Sequence, residues 1–156
     1  MRTCRSSDRG RRSLDEKCAA AMEVPTATLQ AVLENPALGI GQRTRAMYFL
    51  KARGGPDVVR HMARVLRDPR GTVLFRHELA YVIGQMRSLV AAGDLRAVLE
   101  DPADHVIVRH EAGEALAALG DQASLPALEA LATDPQPELA ETCELAVASL
   151  KWQAEA

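Results

Sequence analysis

Two His-Glu pairs stand at matching places in this sequence and could do chemistry together. His77-Glu78 lies in "FRHELAYVIGQM" and His110-Glu111 lies further on in "VRHEAGEALAALG", and each pair follows an arginine. Neutral imidazole and carboxylate groups together suit iron, manganese or zinc. Two histidines and one carboxylate that leave coordination positions open form the facial arrangement of non-haem iron oxygenases. The repeated pairs therefore predict a metal site to which both of them contribute.

Other kinds of site are not indicated by the sequence. Cysteines do not accompany the two pairs, which argues against a structural zinc site of the finger type. The helix-borne HExxH motif of zinc proteases is absent, because His77-Glu78 is followed by Leu-Ala-Tyr. The chain also lacks a nucleotide-binding glycine loop and a Ser-His-Asp candidate.

An internal repeat sets the positions of the two pairs, and its period of about 33 residues is typical of helical repeat proteins. Sliding back by one period from the first pair reaches "RTRAMYFLKARGG", and sliding forward by nearly one period from the second reaches "AETCELAVASL". Each of the first three segments is followed by a second helical run. Proline after Asp or Asn closes the units at Asn35-Pro36, Asp68-Pro69, Asp101-Pro102 and Asp134-Pro135.

The repeat predicts an all-α fold for residues 25–156. Two-residue alternation of apolar side chains is absent, so we assign no strands. Aromatic residues make up only 3% of the chain, which suits stacked helices built from Leu, Ala and Val. We expect an α-α superhelix, a solenoid of HEAT-like repeats with about four helical-hairpin units, in which each unit packs on its neighbours.

The second pair should turn away from the core of its own helix. The predicted core stripe consists of Val108, Ala112, Ala115, Leu116 and Leu119. His110 is two residues, about 200°, from Val108 and faces the other way. Gly113 and Ala117 follow His110 on its face, and Ala80 and Gly84 follow His77 at the same offsets. Such small side chains either leave room for a ligand or allow the helices to stack closely.

A histidine in isolation is usually a surface residue, and we assign His61 and His105 to the surface for that reason. The outer units provide an internal control for the two pairs. Thr44-Arg45 stands at the equivalent position in the first unit, and Glu141-Thr142 stands there in the last. The His-Glu pair is therefore not required by the repeat itself, and its confinement to the central units favours a site.

Composition limits the partners and the compartment. The net charge of −2 gives no electrostatic case for nucleic acid or an anionic membrane, and no apolar run is long enough to span a bilayer. Three scattered cysteines form no disulfide framework, so we expect a reducing, cytoplasmic location. The Arg- and Ser-rich residues 1–24 predict a disordered extension; a targeting peptide, or an effective start at Met22, are the alternatives.

The repeat segments also carry a family resemblance. "RHELAYVIGQM" and "VRHEAGEALAALGD", with "RTRAMYFLKARGG" before and "AETCELAV" after them, resemble the amino-terminal half of deoxyhypusine hydroxylase over roughly residues 27–152. That family is a HEAT-repeat dyad that hydroxylates the deoxyhypusine side chain of translation initiation factor 5A, using molecular oxygen and a non-haem di-iron centre. The resemblance implies that His77, His110 and Glu111 bind one iron. It makes Glu78 the catalytic residue of the same site, bound either to the metal or to the ammonium groups of the substrate.

The sequence departs from this family in one respect. Family members carry four His-Glu motifs, two in each half, whereas this sequence contains two. A homodimer or a complementary half would restore the full set; an inactive truncated half is the third explanation. Two other functions stay open: a non-catalytic HEAT-repeat adaptor that binds proteins, and a lyase-like chromophore chaperone, because the Val-Arg-x-x-Ala-x-x-Ala-Leu style also resembles the repeats of phycobilin lyases.

Overall fold

Eight α-helices and two short 3-10 helices make up residues 23–155, the part of the chain that the computed structural model describes. This range contains no strand. Apart from its last two residues, the predicted disordered extension over residues 1–24 lies outside the described residues. The α-helices are α1 (Thr26–Glu34), α2 (Ile40–Arg53), α3 (Pro56–Leu66), α4 (Val73–Gln85), α5 (Ala92–Glu100), α6 (Val106–Leu119), α7 (Leu125–Leu131) and α8 (Pro137–Glu155). The 3-10 helices are Leu89–Ala91 and Gln122–Ser124.

The helices form two layers, as the repeat predicts. Helices α2, α4, α6 and α8 pack side by side in one layer, and α1, α3, α5 and α7 form the second. The core between them is aliphatic, and the predicted core stripe of α6 is buried. The HEAT-like solenoid is therefore confirmed. Within the described range, none of the helices combines the length and the apolar character that a bilayer crossing requires.

The Asp-Pro and Asn-Pro dipeptides end each unit in the same way. The side-chain oxygen of the acidic or amide residue accepts a hydrogen bond from the backbone N–H two residues later, at 2.9–3.0 Å. Proline meanwhile prevents the preceding helix from continuing. The four residues that accept these bonds are Asn35, Asp68, Asp101 and Asp134. The repeat boundaries seen in the sequence are thus real turns with a common geometry.

A buried arginine anchors the first helix of three successive units. Arg43, Arg76 and Arg109 occupy the same position of the repeat, and each exposes less than a tenth of its surface. Each Nε donates to the backbone carbonyl oxygen ten residues earlier, at 2.7–2.9 Å. These carbonyls belong to the last turn of the preceding helix, where no intrahelical donor remains. Arg76 and Arg109 directly precede the two His-Glu pairs.

The two other histidines differ from each other. His61 was predicted at the surface, and this prediction is wrong: only 7% of the residue is exposed. Its Nε2 lies 3.2 Å from the carbonyl oxygen of Gln30 and 3.7 Å from a carboxylate oxygen of Glu34, so contact with α1 satisfies it. His105 is exposed as expected. It caps α6, because its Nδ1 accepts a hydrogen bond from the backbone N–H of Ile107 at 3.2 Å.

The helix-ending position of one unit is strained. Gly54, Arg87 and Gly120 occupy equivalent positions in successive units, with φ of 65°, 48° and 73°, a region that disfavours side chains. We expect Arg87→Gly to raise the free energy of unfolding by roughly 0.5–1 kcal/mol, measured by urea denaturation. Arg45→Gly on the exposed face of α2 is the control and should lower it by about 1 kcal/mol. If Arg87→Gly lowers the free energy of unfolding as much as Arg45→Gly does, the prediction is contradicted.

Candidate metal-binding site

The His-Glu pairs come together because α4 and α6 lie side by side. Nε2 of His77 is 3.0 Å from a carboxylate oxygen of Glu111, so the imidazole of one unit meets the carboxylate of the next. The close approach of the helices depends on Gly84: a Cβ at this position would stand 3.0 Å from the Cα of Ala115. The regular spacing of the pairs in the sequence therefore becomes a direct contact between them.

A compact group of ligand atoms surrounds Glu111. His110, Glu111 and Glu114 each offer one atom, and these atoms all lie within 4.8 Å of one another. Nε2 of His110 is 3.6 Å from a carboxylate oxygen of Glu114, one helical turn away. This group could hold a metal ion. The sequence prediction missed Glu114, although its position four residues after His110 puts both on the same face of α6.

The four predicted site residues thus occupy one region around Glu111. Glu111 contacts His77 and belongs to the group with His110. Glu78 lies beside His77, with 3.6 Å between a carboxylate oxygen and Nδ1, and about a third of its side chain is exposed. Glu78 therefore borders the region on its solvent side, whereas Glu111 lies at its buried centre with 5% of its surface exposed. The prediction that the second pair turns away from the core is therefore wrong for Glu111, because the neighbouring helix α4 covers it.

The environment of the Glu111 carboxyl group disfavours its ionised form. The pKa of Glu111 is raised to about 7, first by burial and then by the negative charge of Glu114. The charge of Glu78 raises this pKa further, while His110 lowers it in part. A buried carboxylate surrounded by other carboxylates requires a positive charge to stay ionised. A bound cation at this place would supply that charge.

The tautomer of His110 follows from its neighbour on α8. The hydroxyl of Thr142 donates to the carbonyl oxygen of Glu138 at 2.7 Å, so its oxygen is left to accept. Nδ1 of His110 contacts this oxygen and is the donor. A neutral His110 then keeps its lone pair on Nε2, the atom that faces Glu114. This is how a metal-binding histidine is usually oriented, by a hydrogen bond from its other nitrogen.

One ring nitrogen of His77 is left without a hydrogen bond in the part of the chain that the structure describes. Its Nδ1 is shielded from solvent and has no hydrogen-bond partner among the described residues. Buried polar atoms in proteins are nearly always paired, so an unpaired one calls for an explanation. A carboxylate oxygen of Glu78 lies 3.6 Å from this nitrogen, just beyond hydrogen-bond distance, so the unpaired atom faces Glu78 and is not the one that would bind the ion. The crowded carboxylates around Glu111 are what indicates that protein groups alone do not satisfy this region. The donor set of imidazole and carboxylate fits iron, manganese or zinc.

Comparisons with known proteins agree with this architecture. A family model described as HEAT repeats matches residues 66–148, more than half of the chain. This chain belongs to the HEAT-repeat family. The matched range contains both His-Glu pairs, so the candidate site of this HEAT-repeat chain lies within the matched residues.

Relatives of this HEAT-repeat chain bear out the resemblance seen in the sequence. Deoxyhypusine hydroxylase of Mus musculus is 44% identical over 120 residues, 77% of this chain and 39% of the relative. The Xenopus laevis enzyme of that name is 44% identical over 134 residues, 86% and 44% of the two chains. The structure of human deoxyhypusine hydroxylase in complex with glycerol matches with a TM-score of 0.79 at 35% identity, and covers 90% of this chain and 48% of its own. The chain thus spans less than half the length of these relatives.

The small residues that follow the histidines serve helix packing in this HEAT-repeat solenoid. Ala80 is fully buried, and a Cβ on Gly113 would stand 3.3 Å from the methyl group of Thr142. Among the small residues that follow the two histidines, Ala117 differs from the others, because it lines a cavity of about 580 Å³ between α6 and α8. The interpretation that the small side chains leave room for a ligand is therefore wrong for Ala80, Gly84 and Gly113, and the close-stacking alternative holds there.

Gly84 gives a test of this close packing. We expect Gly84→Ala to lower the free energy of unfolding by about 1–3 kcal/mol, because the added methyl group pushes α4 away from α6. Gly41→Ala in α2 is the matched control: its Cβ would meet nothing within 4 Å, so helix propensity should make it neutral or stabilising. Thermal unfolding followed by circular dichroism measures both, and similar melting temperatures for the two variants would argue against the close contact.

Proposed function

We propose that this chain provides one half of a deoxyhypusine hydroxylase site. The reaction is the iron-dependent hydroxylation of the deoxyhypusine side chain of translation initiation factor 5A, carried out in the cytoplasm. The observation that carries the proposal is the position of Glu111, which contacts His77 of one unit and groups with His110 of its own. The relatives named deoxyhypusine hydroxylase support it, because their similarity covers both units.

Each site residue has a role in this proposal. His77, His110 and Glu111 would hold one iron ion, which would activate molecular oxygen for the hydroxylation. Thr142 keeps the proton of His110 on Nδ1 and so leaves Nε2 free to bind. The burial of Glu111 excludes water from the inner side of the site.

Glu78 suits the substrate better than the ion, whereas Glu114 could contact either of them. Both carboxylates are more exposed than Glu111, and both border it. The deoxyhypusine side chain is long, aliphatic and carries ammonium groups. We propose that Glu78 acts as the catalytic residue by binding one of these groups and so orienting the carbon to be hydroxylated, with Glu114 as a second contact.

A complete di-iron site requires a second set of ligands in this proposal. Two His-Glu pairs provide for one ion, so the other pairs would come from a complementary half or from a second copy of the chain. A second copy would present the same surface about a twofold axis. Native mass spectrometry of the iron-loaded protein distinguishes these sources, because it reports chain number and metal content on one sample.

One observation favours the adaptor as the second candidate function. Leu145 and Trp152 on α8 are each about 70% exposed and line the cavity next to Glu114. Large apolar side chains that are exposed to solvent on one helix are typical of a surface that binds another protein. An adaptor would bind its partner whether or not the histidines were present.

Substrate binding gives the decisive experiment for the proposed function. The iron-loaded chain is titrated with a factor 5A peptide that carries deoxyhypusine, and with the same peptide carrying lysine. We expect roughly tenfold tighter binding of the deoxyhypusine peptide, and loss of this preference in Glu78→Gln. Equal affinity of the iron-loaded chain for the two peptides, or failure of the chain to take up iron, would overturn the proposal and favour the adaptor.

A further inference from the structure

Arg76 and Asp104 form a buried ion pair that joins the two helices of the candidate site. Nη1 of Arg76 is 2.6 Å from one carboxylate oxygen of Asp104, and Nη2 is 2.5 Å from the other. Only 9% of each side chain is exposed. Arg76 directly precedes His77 in α4, whereas Asp104 lies in the turn that leads into α6, the helix of His110. The pair therefore spans the two elements from which the metal ligands come.

This pair breaks the pattern of the repeat. Arg43 and Arg109, at the equivalent positions, each have the aspartate of the next Asp-Pro turn near their guanidinium groups, Asp68 and Asp134. Arg109 is 4.0 Å from Asp134, and the carboxylate of Asp68 is engaged at 2.6 Å by its own neighbour, Arg70. The equivalent partner of Arg76 would be Asp101, which serves the turn that ends its unit.

Asp104 is a carboxylate that the other repeat units lack at the equivalent position. The equivalent positions in the other units hold Leu38, Gly71 and Pro137, none of which has a charged side chain. A two-point Arg-carboxylate contact is the more directional kind of ion pair. The tightest of the three arginine contacts thus stands between the two helices that carry His-Glu pairs, where neither the repeat nor its turns require it.

Further bonds tie the pair to the backbone around the site. Nε of Arg76 donates to the carbonyl oxygen of Leu66 at 2.7 Å, which fixes the end of α3. One carboxylate oxygen of Asp104 also accepts from the backbone N–H of His105 at 2.7 Å, and His105 caps α6. The start of α4, the end of α3 and the start of α6 are consequently held by one connected set of bonds.

We infer that Arg76 and Asp104 are positioning residues for the metal site, and that they set the distance between His77 and Glu111 by fixing α4 against α6. The pair acts through the ligands and itself touches neither ion nor substrate. The inference rests on the proposed metal site of His77, His110 and Glu111. It assigns a role in ion binding to an ion pair that would otherwise be a matter of stability.

Cobalt(II) titration followed by visible absorption tests this inference. We expect Asp104→Asn to bind cobalt about tenfold more weakly than the wild-type chain and to change the shape of the absorption band, which reports the ligand geometry. Asp134→Asn removes the aspartate of the looser contact and is the matched control, expected to stay within about twofold of wild type. Arg76→Lys keeps the charge but loses the two-point contact, so it should also bind more weakly.

The outcomes separate this inference from the proposed site. If the wild-type chain binds no cobalt, the metal site itself is absent, and both the proposed site and the positioning role of Arg76 and Asp104 are overturned. If the wild-type chain binds cobalt and both Asn variants bind it equally well with an unchanged band, the positioning role is overturned while the site stands. Circular dichroism establishes that each variant is folded at the titration temperature. If Asp104→Asn is unfolded, the cobalt affinities of Arg76→Lys and Asp134→Asn are compared instead, and the same outcomes decide the positioning role.

Discussion

Replacing His110 by alanine is expected to reduce the affinity for a divalent metal by more than about 100-fold, beyond what the loss of a group outside the ligand set typically causes. His110 contributes Nε2, whose lone pair faces the carboxylates of the site. Its removal leaves Glu111 and Glu114 with His77 as the remaining imidazole. Equilibrium dialysis against iron(II) without oxygen, followed by metal analysis, measures the loss.

His105→Ala is the control for this experiment. It removes a histidine from the start of the same helix, but one that is exposed and serves as the cap of α6. We expect it to lower stability by about 1 kcal/mol and to leave metal affinity unchanged. If the His110→Ala and His105→Ala proteins retain the same amount of iron, His110 is not a ligand.

Replacing Thr142 by valine is expected to weaken metal binding by about 10–100-fold, although Thr142 is not itself a ligand. The change preserves the shape of the side chain and removes the oxygen that accepts from Nδ1 of His110. Without this acceptor the proton is free to move to Nε2, where it blocks the atom that would bind the metal. Only 5% of Thr142 is exposed, and the residue borders the cavity between α6 and α8.

Thr142→Ser separates orientation of the imidazole from packing. Serine keeps the hydroxyl but loses the methyl group that stands near Gly113. We expect Thr142→Ser to retain metal affinity within a few-fold of wild type, because the bond to Nδ1 can still form. The same dialysis measures both variants. If valine and serine weaken binding equally, the hydroxyl does not orient His110 and the loss reflects packing.

Periodic features of this protein could be predicted from the sequence, because each unit repeats the same local physics. The turns at Asp68, Asp101 and Asp134 follow from a proline that stops a helix and a side chain that completes the turn. The contact between His77 and Glu111 follows from two equal helices placed side by side. Neighbouring side chains on a helix diverge by about 100°, which explains why a histidine meets the glutamate of the next pair.

Non-periodic features could not be predicted, because they depend on which side chains meet between helices. Thr142 stands at the repeat position of the His-Glu pairs, yet its bond to His110 depends on the angle at which α8 meets α6. Asp104 has no counterpart in the other units, so the repeat gave no reason to consider it. His61 is buried by α1, a helix that precedes the first repeat segment identified in the sequence.

The most direct test of the shared metal site is a crystal structure of the iron-loaded chain with anomalous scattering recorded at the iron edge. We predict one anomalous peak per chain, at about 2.1 Å from Nε2 of His77, Nε2 of His110 and a carboxylate oxygen of Glu111. A peak held by exposed carboxylates such as Glu78 or Glu114 with both imidazoles remote, or no peak at all, would contradict the site.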